Sequence, residues 1–429
     1  MRNRQREKAL LIAVDALPVL RALLTHGCNY AKTLSPPRSL LIFCIVIAPL
    51  GLSTQALANN SALQTTNQVN IENSTAQRQT PARPTPANDE QAPLIERKLK
   101  EAHERMPGSF ETNHRLGEFY IQQQKLAAAI PFLERAQQTN PFHYVNSYDL
   151  ALAYLQIGNL SGARQQIQSM LKRKDIAELH NLLGEVEEKA GNLVPAAEEY
   201  QHAAQMETSE QNLLDLGNIL IKLTAYEEAV KVFNYAVGRY QRSSTLRVGL
   251  GVAHYSRGRY EDAIKTLCEA ADLEPSDPRP FLFLGEMYNV SAELADEITK
   301  RMRQFVELHP KNALAHYSYA MSLGQGRHNH ARPVDLNQIE TLLKTAVMLD
   351  PRLSPAHLEL GVLHSDQQKF SEAISELRMA IDLQPDLARA HYRLGLIYQR
   401  TGQKALAAQE MDIYKRLSGR QAKPAPSGK

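Results

Sequence analysis

A large residue followed by a small one recurs at a spacing near 34 residues through nearly three quarters of the chain, and this repeat constrains the fold more than any other feature. Units start at residues 110, 144, 177, 210, 244, 278, 313, 354 and 388. Position 7 holds Leu116, Leu150, Leu183, Leu216, Leu250, Leu284, Tyr319, Leu360 and Leu394. Position 8 holds Gly117, Ala151, Gly184, Gly217, Gly251, Gly285, Ala320, Gly361 and Gly395. Small residues return at position 20 (Ala129, Ala163, Ala196, Ala229, Ala263, Ala373, Ala407) and at position 27 (Ala136, Ala203, Ala236, Ala270, Ala346, Ala380). Proline stands at or beside position 32 in Pro141, Pro275, Pro310, Pro351 and Pro385.

The apolar spacing within each unit predicts two helices, at positions 1–14 and 17–30, joined by a turn that often carries glycine (Gly158, Gly191, Gly258, Gly402). Glycine inside a helix costs about 1 kcal/mol relative to alanine. Its return in register is explained if small residues let two helices approach at the close end of the usual 8–10 Å range. The packing gained there offsets the propensity cost. Two units are irregular. The sixth needs one extra residue in "NVSAEL", and the seventh carries seven more in "GQGRHNHARPVD", after which Asp335 and Gln338 read as a capping box.

This pattern resembles the tetratricopeptide repeat, over residues 110–417. The resemblance implies an all-α, right-handed solenoid of about nine helix-turn-helix repeats. Position 4, tryptophan in the family pattern, departs from it here (Asn113, His357, His391). "LIERKLKEAHERMP" looks like a second helix without its first, so residues 94–109 are expected to cap the array. At the other end Lys404, Ala408 and Lys415 stand where unit eight has Phe370, Ile374 and Ile381. The outer face of the last helix therefore reads as polar, with a disordered tail over residues 418–429.

The N-terminal region has a different character. Seven Lys/Arg and two acids lie in residues 1–58, which leaves 42 basic and 44 acidic side chains to residues 59–429. Basic residues precede the apolar run 40–52 and then "ALA" at 56–58, the order of a secretory signal cleaved after Ala58. The run is shorter than the roughly 20 residues that span a bilayer. An exported, periplasmic or secreted chain is expected. The alternative is an uncleaved anchor that tethers a repeat adaptor recruiting an enzyme or complex, with membrane contact only through that segment. Residues 59–93 are polar and proline-bearing and read as a disordered linker. Cys28 and Cys44 fall in the signal, leaving Cys268 alone at position 25, where other units place polar residues such as Glu134 and Arg378. Partial exposure of Cys268 is expected.

Candidate chemistry is sparse. His328 and His330, flanked by Arg327 and Arg332, have no adjacent third ligand for zinc and read as a solvated basic loop. No phosphate-binding loop, nucleophile elbow or H-E-x-x-H helix is present, so no enzyme, cofactor or metal is expected. The near-neutral body gives no footprint for nucleic acid. The resemblance implies that positions 2, 5, 9 and 12 of the first helices line a concave groove for a protein or peptide partner. The groove residues expected here are Tyr148, Leu152, Val248, Val252, Tyr255, Tyr317, Met321, Tyr392 and Leu396. No unit pairs lysine at position 5 with asparagine at position 9, so the family's carboxylate clamp is not expected.

Overall fold

A computed structural model describes residues 92–288, 294–328 and 335–422. The proposed signal, nearly all of the linker, His330 and the end of the tail lie outside the described residues. The chain divides into two compact bodies, one ending at Ala225 and the other beginning at Tyr226. Every regular element among the described residues is an α-helix.

The first body holds α1 (Ala92–Arg105), α2 (Phe110–Gln122), α3 (Leu126–Thr139), α4 (Tyr144–Gln156), α5 (Leu160–Leu171), α6 (Ala177–Lys189), α7 (Leu193–Met206) and α8 (Glu210–Lys222). The second opens with α9 (Tyr226–Arg239), α10 (Ser244–Ser256), α11 (Tyr260–Leu273), α12 (Arg279–Glu286) and α13 (Ala295–Leu308). It continues through α14 (Ala313–His328), α15 (Leu336–Leu349), α16 (Ser354–Asp366), α17 (Phe370–Leu383), α18 (Ala388–Arg400) and α19 (Lys404–Ala422).

These helices follow the repeat frame. Second helices begin at position 17 throughout, once the extra residues of units six and seven are allowed for. Two outer boundaries differ from the sequence reading. The capping helix begins at Ala92, inside the expected linker, and ends at Arg105. The last helix runs five residues past Leu417, through Gly419, to Ala422.

The small residues perform the packing role their register implies, with a more specific partner than the neighbouring backbone. A Cβ on Gly361 would lie 2.8 Å from Leu377 Cγ and 3.2 Å from the Ala373 carbonyl oxygen. Position 8 is thus the socket for the side chain at position 24 of the same unit. Position 15 supplies the turn. Gly158, Gly191, Gly258 and Gly402 have φ near +80°, and Gln124, Thr224 and Gln368 occupy the same left-handed region at φ 57–62°.

Position 4 has its own solution in place of tryptophan. His357 Nδ1 lies 2.6 Å from Glu376 Oε2, and its Nε2 lies 3.1 Å from the carbonyl oxygen of Pro351, three residues before the unit begins. His391 repeats this geometry with Glu410 and Pro385. Asn113 donates to the Pro107 carbonyl at 2.8 Å. A polar side chain at this position satisfies a carbonyl at the junction between units.

Cys268 is a correction. The thiol is free and buried, 8 % exposed, in a core with Phe281, Met302 and Phe305. Burial pushes it up to about 11. The cause is the irregular sixth unit. Position 25 faces the following unit, as Arg378 Nε donating to Tyr398 Oη at 3.1 Å shows. In the sixth unit the shortened α12 is followed by α13, whose Arg301, held by Asp272 and Glu297, lies beside the sulfur. In the seventh unit Asp335 caps α15 as expected, accepting from the amides of Asn337 and Gln338 at 2.9 and 3.3 Å.

Candidate partner-binding faces

The first helices place positions 5 and 9 on one face of each body. In the first body that face carries Tyr148 and Leu152 on α4, both half-buried against the core around Leu155 and Leu183. The Tyr148 ring stacks on Tyr144 at 6.0 Å, and Tyr144 donates to Glu178 Oε2 at 2.9 Å. Burial first, then the charges of Glu178, Asp149 and Glu185, push the Tyr148 hydroxyl up to about 12. On the next helices Asn181 donates to Asp215 Oδ2 at 2.8 Å, and Lys222 pairs with Glu188. Burial raises the Asp215 carboxyl, and the charges of Glu188 and Glu185 add to it against the hydrogen bonds from Asn181 and Gln211.

The second body carries the other seven expected residues, and they do not form one equivalent set. Val248 and Val252 on α10 are 7 % and 4 % exposed, so they are packing residues and not accessible groove. These small β-branched side chains are short enough for neighbouring helices to cover. Tyr255, Tyr317, Met321 and Leu396 are half-buried, and Tyr392 is 38 % exposed with its ring 5.0 Å from that of Tyr414. Tyr255, Tyr317, Leu282 and Tyr288 each pack against the same core cluster. Burial raises the Tyr317 hydroxyl, and Glu359, Tyr288 and Glu286 reinforce this against the Arg389 cation. Arg389 is itself paired with Glu359.

Sequence reasoning passed over Tyr144, Glu178, Tyr288, Glu359 and Arg389. A signal for several of them was available. Tyr144 and Glu178, Asn181 and Asp215, and Lys222 and Glu188 are each 34 residues apart, one repeat period, with complementary chemistry. No helix among the described residues is long and apolar enough to cross a membrane. Among them no three His, Cys, Asp or Glu side chains converge as a metal site would require.

Family models of the tetratricopeptide repeat match residues 121–186 and 214–278, and a TPR repeat model matches residues 363–402. These segments are tetratricopeptide repeats. The human protein O-mannosyl-transferase TMTC1 is 25% identical over 177 residues, which are 40% of this chain and 20% of that protein. The chain therefore spans about a fifth of the length of that curated relative. Among solved structures, the C-terminal part of a TPR repeat-containing protein from Cytophaga hutchinsonii aligns at 15% identity, covering 57% of this chain and 97% of that one, with a TM-score of 0.47. YrrB, described as a TPR protein with an unusual peptide-binding site, aligns at 20% identity over 45% of this chain and 96% of its own, with a TM-score of 0.36. MamA aligns at 20% identity over 40% and 96%, with a TM-score of 0.34. Tetratricopeptide repeats generally serve protein or peptide binding.

Proposed function

We propose that the chain is an exported, non-enzymatic TPR scaffold that holds a protein or peptide on its first-helix faces and assists assembly or interaction in the cell envelope. One observation carries the reading. Tyr148, Leu152, Tyr317, Met321, Tyr392 and Leu396 stay half-buried or exposed on the first helices, which leaves apolar and aromatic surface for a partner to cover. Aromatic side chains of this kind supply binding energy out of proportion to their number. Export rests on the order of basic, apolar and small-residue segments before Asn59.

The full chain is used to capture partners from an envelope extract, beside a Tyr148→Ala/Tyr317→Ala variant. The expected result is a defined partner retained by the parent and lost by the variant, with the melting temperatures of the two close together. Retention by both would exclude these faces. Loss accompanied by a fall of several degrees would make the tyrosines packing residues. Sequencing the N-terminus of the protein recovered from cells tests export: Asn59 first supports it, and retention of residues 40–52 supports a tether.

A further inference from the structure

The loop between α3 and α4 carries an apolar residue that the repeat does not require. Phe142 stands at position 33 and is 74 % exposed, the largest value for a large apolar side chain among the described residues. Position 33 of most other units is polar: Ser209, Arg242, Ser276, Lys311, Arg352 and Asp386. Ile176 shares the apolar choice, but it packs against the core around Leu179. Tyr144 and Val145 follow Phe142 in the first turn of α4, both exposed. The next loop between units brings Lys172, Arg173 and Lys174 beside them, all three exposed. Arg173 donates to the Pro141 carbonyl at 2.5 Å, and its guanidinium lies 4.6 Å from the Phe142 ring centroid. The Lys174 ammonium lies 5.8 Å from the Tyr144 ring centroid. Among the described residues none of the three cations is in an ion pair. The nearest carboxylates in sequence are engaged elsewhere, Asp175 with His180 at 2.7 Å and Glu178 with the Tyr144 hydroxyl.

We propose that this edge of the first body docks on an anionic lipid surface, with the Phe142 ring below the headgroups and Lys172, Arg173 and Lys174 against their phosphates. Exposed apolar side chains rimmed by polar ones mark contacts with a partner or a membrane. Phe142 projects from its loop with only Arg173 laid on it, so a folded partner would have to supply a complete pocket. A bilayer presents an anionic layer over an apolar one, in the order that the cations and the ring need, and it deforms around a projecting side chain. Long cationic side chains keep their heads in the polar layer while their stems lie along apolar material. Each such cation near the surface is drawn to anionic lipid. The contact is peripheral, since no described helix is long and apolar enough to cross a membrane. It goes beyond the scaffold reading and uses neither Tyr148 nor Tyr317.

The chain contains no tryptophan, so Phe142→Trp puts a single reporter in the loop. Its emission is followed in the full chain with vesicles of phosphatidylglycerol and phosphatidylcholine in equal parts, with and without bromine on the acyl chains. The apolar run 40–52 cannot imitate the result, because the signal changes only where the reporter itself is buried. The expected result is a blue shift with quenching by the brominated lipid, absent with phosphatidylcholine alone. Affinity for the vesicles should fall severalfold between about 50 and 300 mM salt. Adding Lys172→Gln/Lys174→Gln should weaken it at least fivefold, with Arg173 kept because it holds Pro141. Met348→Trp, 71 % exposed in the second body, should report no change. No shift at residue 142, or equal shifts at residues 142 and 348, would overturn the proposal. An equal response to phosphatidylcholine, or unchanged affinity in the lysine variant, would overturn the anionic surface. A shift caused by a Glu-Phe-Ser repeat peptide and not by vesicles would overturn it in favour of an acidic protein partner.

Discussion

The two bodies use the same repeat frame and finish their first-helix faces differently. In the first, neighbouring units are tied by polar pairs one period apart, such as Tyr144 with Glu178 and Asn181 with Asp215. In the second, charged pairs take that place, Arg389 with Glu359 and Arg393 with Asp366 at 3.8 Å, beside the half-buried Tyr255 and Tyr317. The frame fixes backbone and core through positions 7, 8, 20, 24 and 27. Positions 2, 5, 6, 9 and 12 are free to diverge because their side chains only partly enter the core. One solenoid frame can therefore carry two unlike surfaces.

The largest expected effect would break the assumption that irregular units are weakly packed. Phe305 is fully buried in the sixth unit and stacks on Phe281 with ring centroids 5.0 Å apart. Phe305→Ala should lower unfolding free energy by about 3–5 kcal/mol, as for other large core truncations. Urea denaturation of parent and variant measures it. A loss under about 1 kcal/mol would mean that the second body tolerates a void there.

The next effect sharpens the shared part of the comparison. Gly361→Val places a branched side chain against Leu377 and the Ala373 carbonyl, and overpacking of this kind costs about 1–3 kcal/mol. The same denaturation experiment reads it. A neutral outcome would show that the socket at position 8 can widen.

The position-4 histidines separate the bodies by pH. Both ring nitrogens of His357 face acceptors, so the imidazolium donates twice. Its pKa is raised, first by the hydrogen bond to Glu376 against burial, with Pro351 and Asp350 adding to it. A raised folded value means that the stabilisation is complete below about pH 6.5 and is lost as pH rises through the folded pKa. His357→Gln should therefore cost more stability at pH 5.5 than at pH 8.5. For His180 in the first body burial is the largest influence and lowers the pKa, and Glu199 and Asp175 together raise it against that opposition. The difference for His180→Gln should be smaller. Equal pH slopes for the two variants would remove this contrast.

Most of the helical frame was legible because close packing leaves a periodic mark. Glycine at position 8 and alanine at 20 and 27 recur only if helices meet there. The faces were less legible. Val248 and Tyr317 share position 5, yet one is buried and the other half-buried, because coverage depends on the size of neighbouring side chains and not on register. Cys268 was misplaced for a related reason: position 25 faces the next unit, and that unit is the irregular one. The pairs one period apart carried a signal in their chemistry, but polar residues also occupy those positions without pairing.

The smallest expected effect concerns the turn that both bodies share. Thr224 has φ +60° at position 15, where Gly158, Gly191, Gly258 and Gly402 sit in other units. A β-branched residue there crowds its own backbone, and left-handed backbone costs a non-glycine residue about 1–2 kcal/mol. The Thr224 side chain is exposed, and its backbone amide already donates to the Ile221 carbonyl at 2.9 Å, a bond that glycine retains. Thr224→Gly relieves the crowding but gives the unfolded chain more freedom, which returns about 0.5–1 kcal/mol. The net expectation is a stabilisation of about 0.5 kcal/mol, read by denaturation. Gly258→Thr in the second body makes the reverse change and should destabilise by about the same amount. If both substitutions destabilise, the threonine is making a contribution that its backbone angle conceals, and the turn is not interchangeable between the bodies.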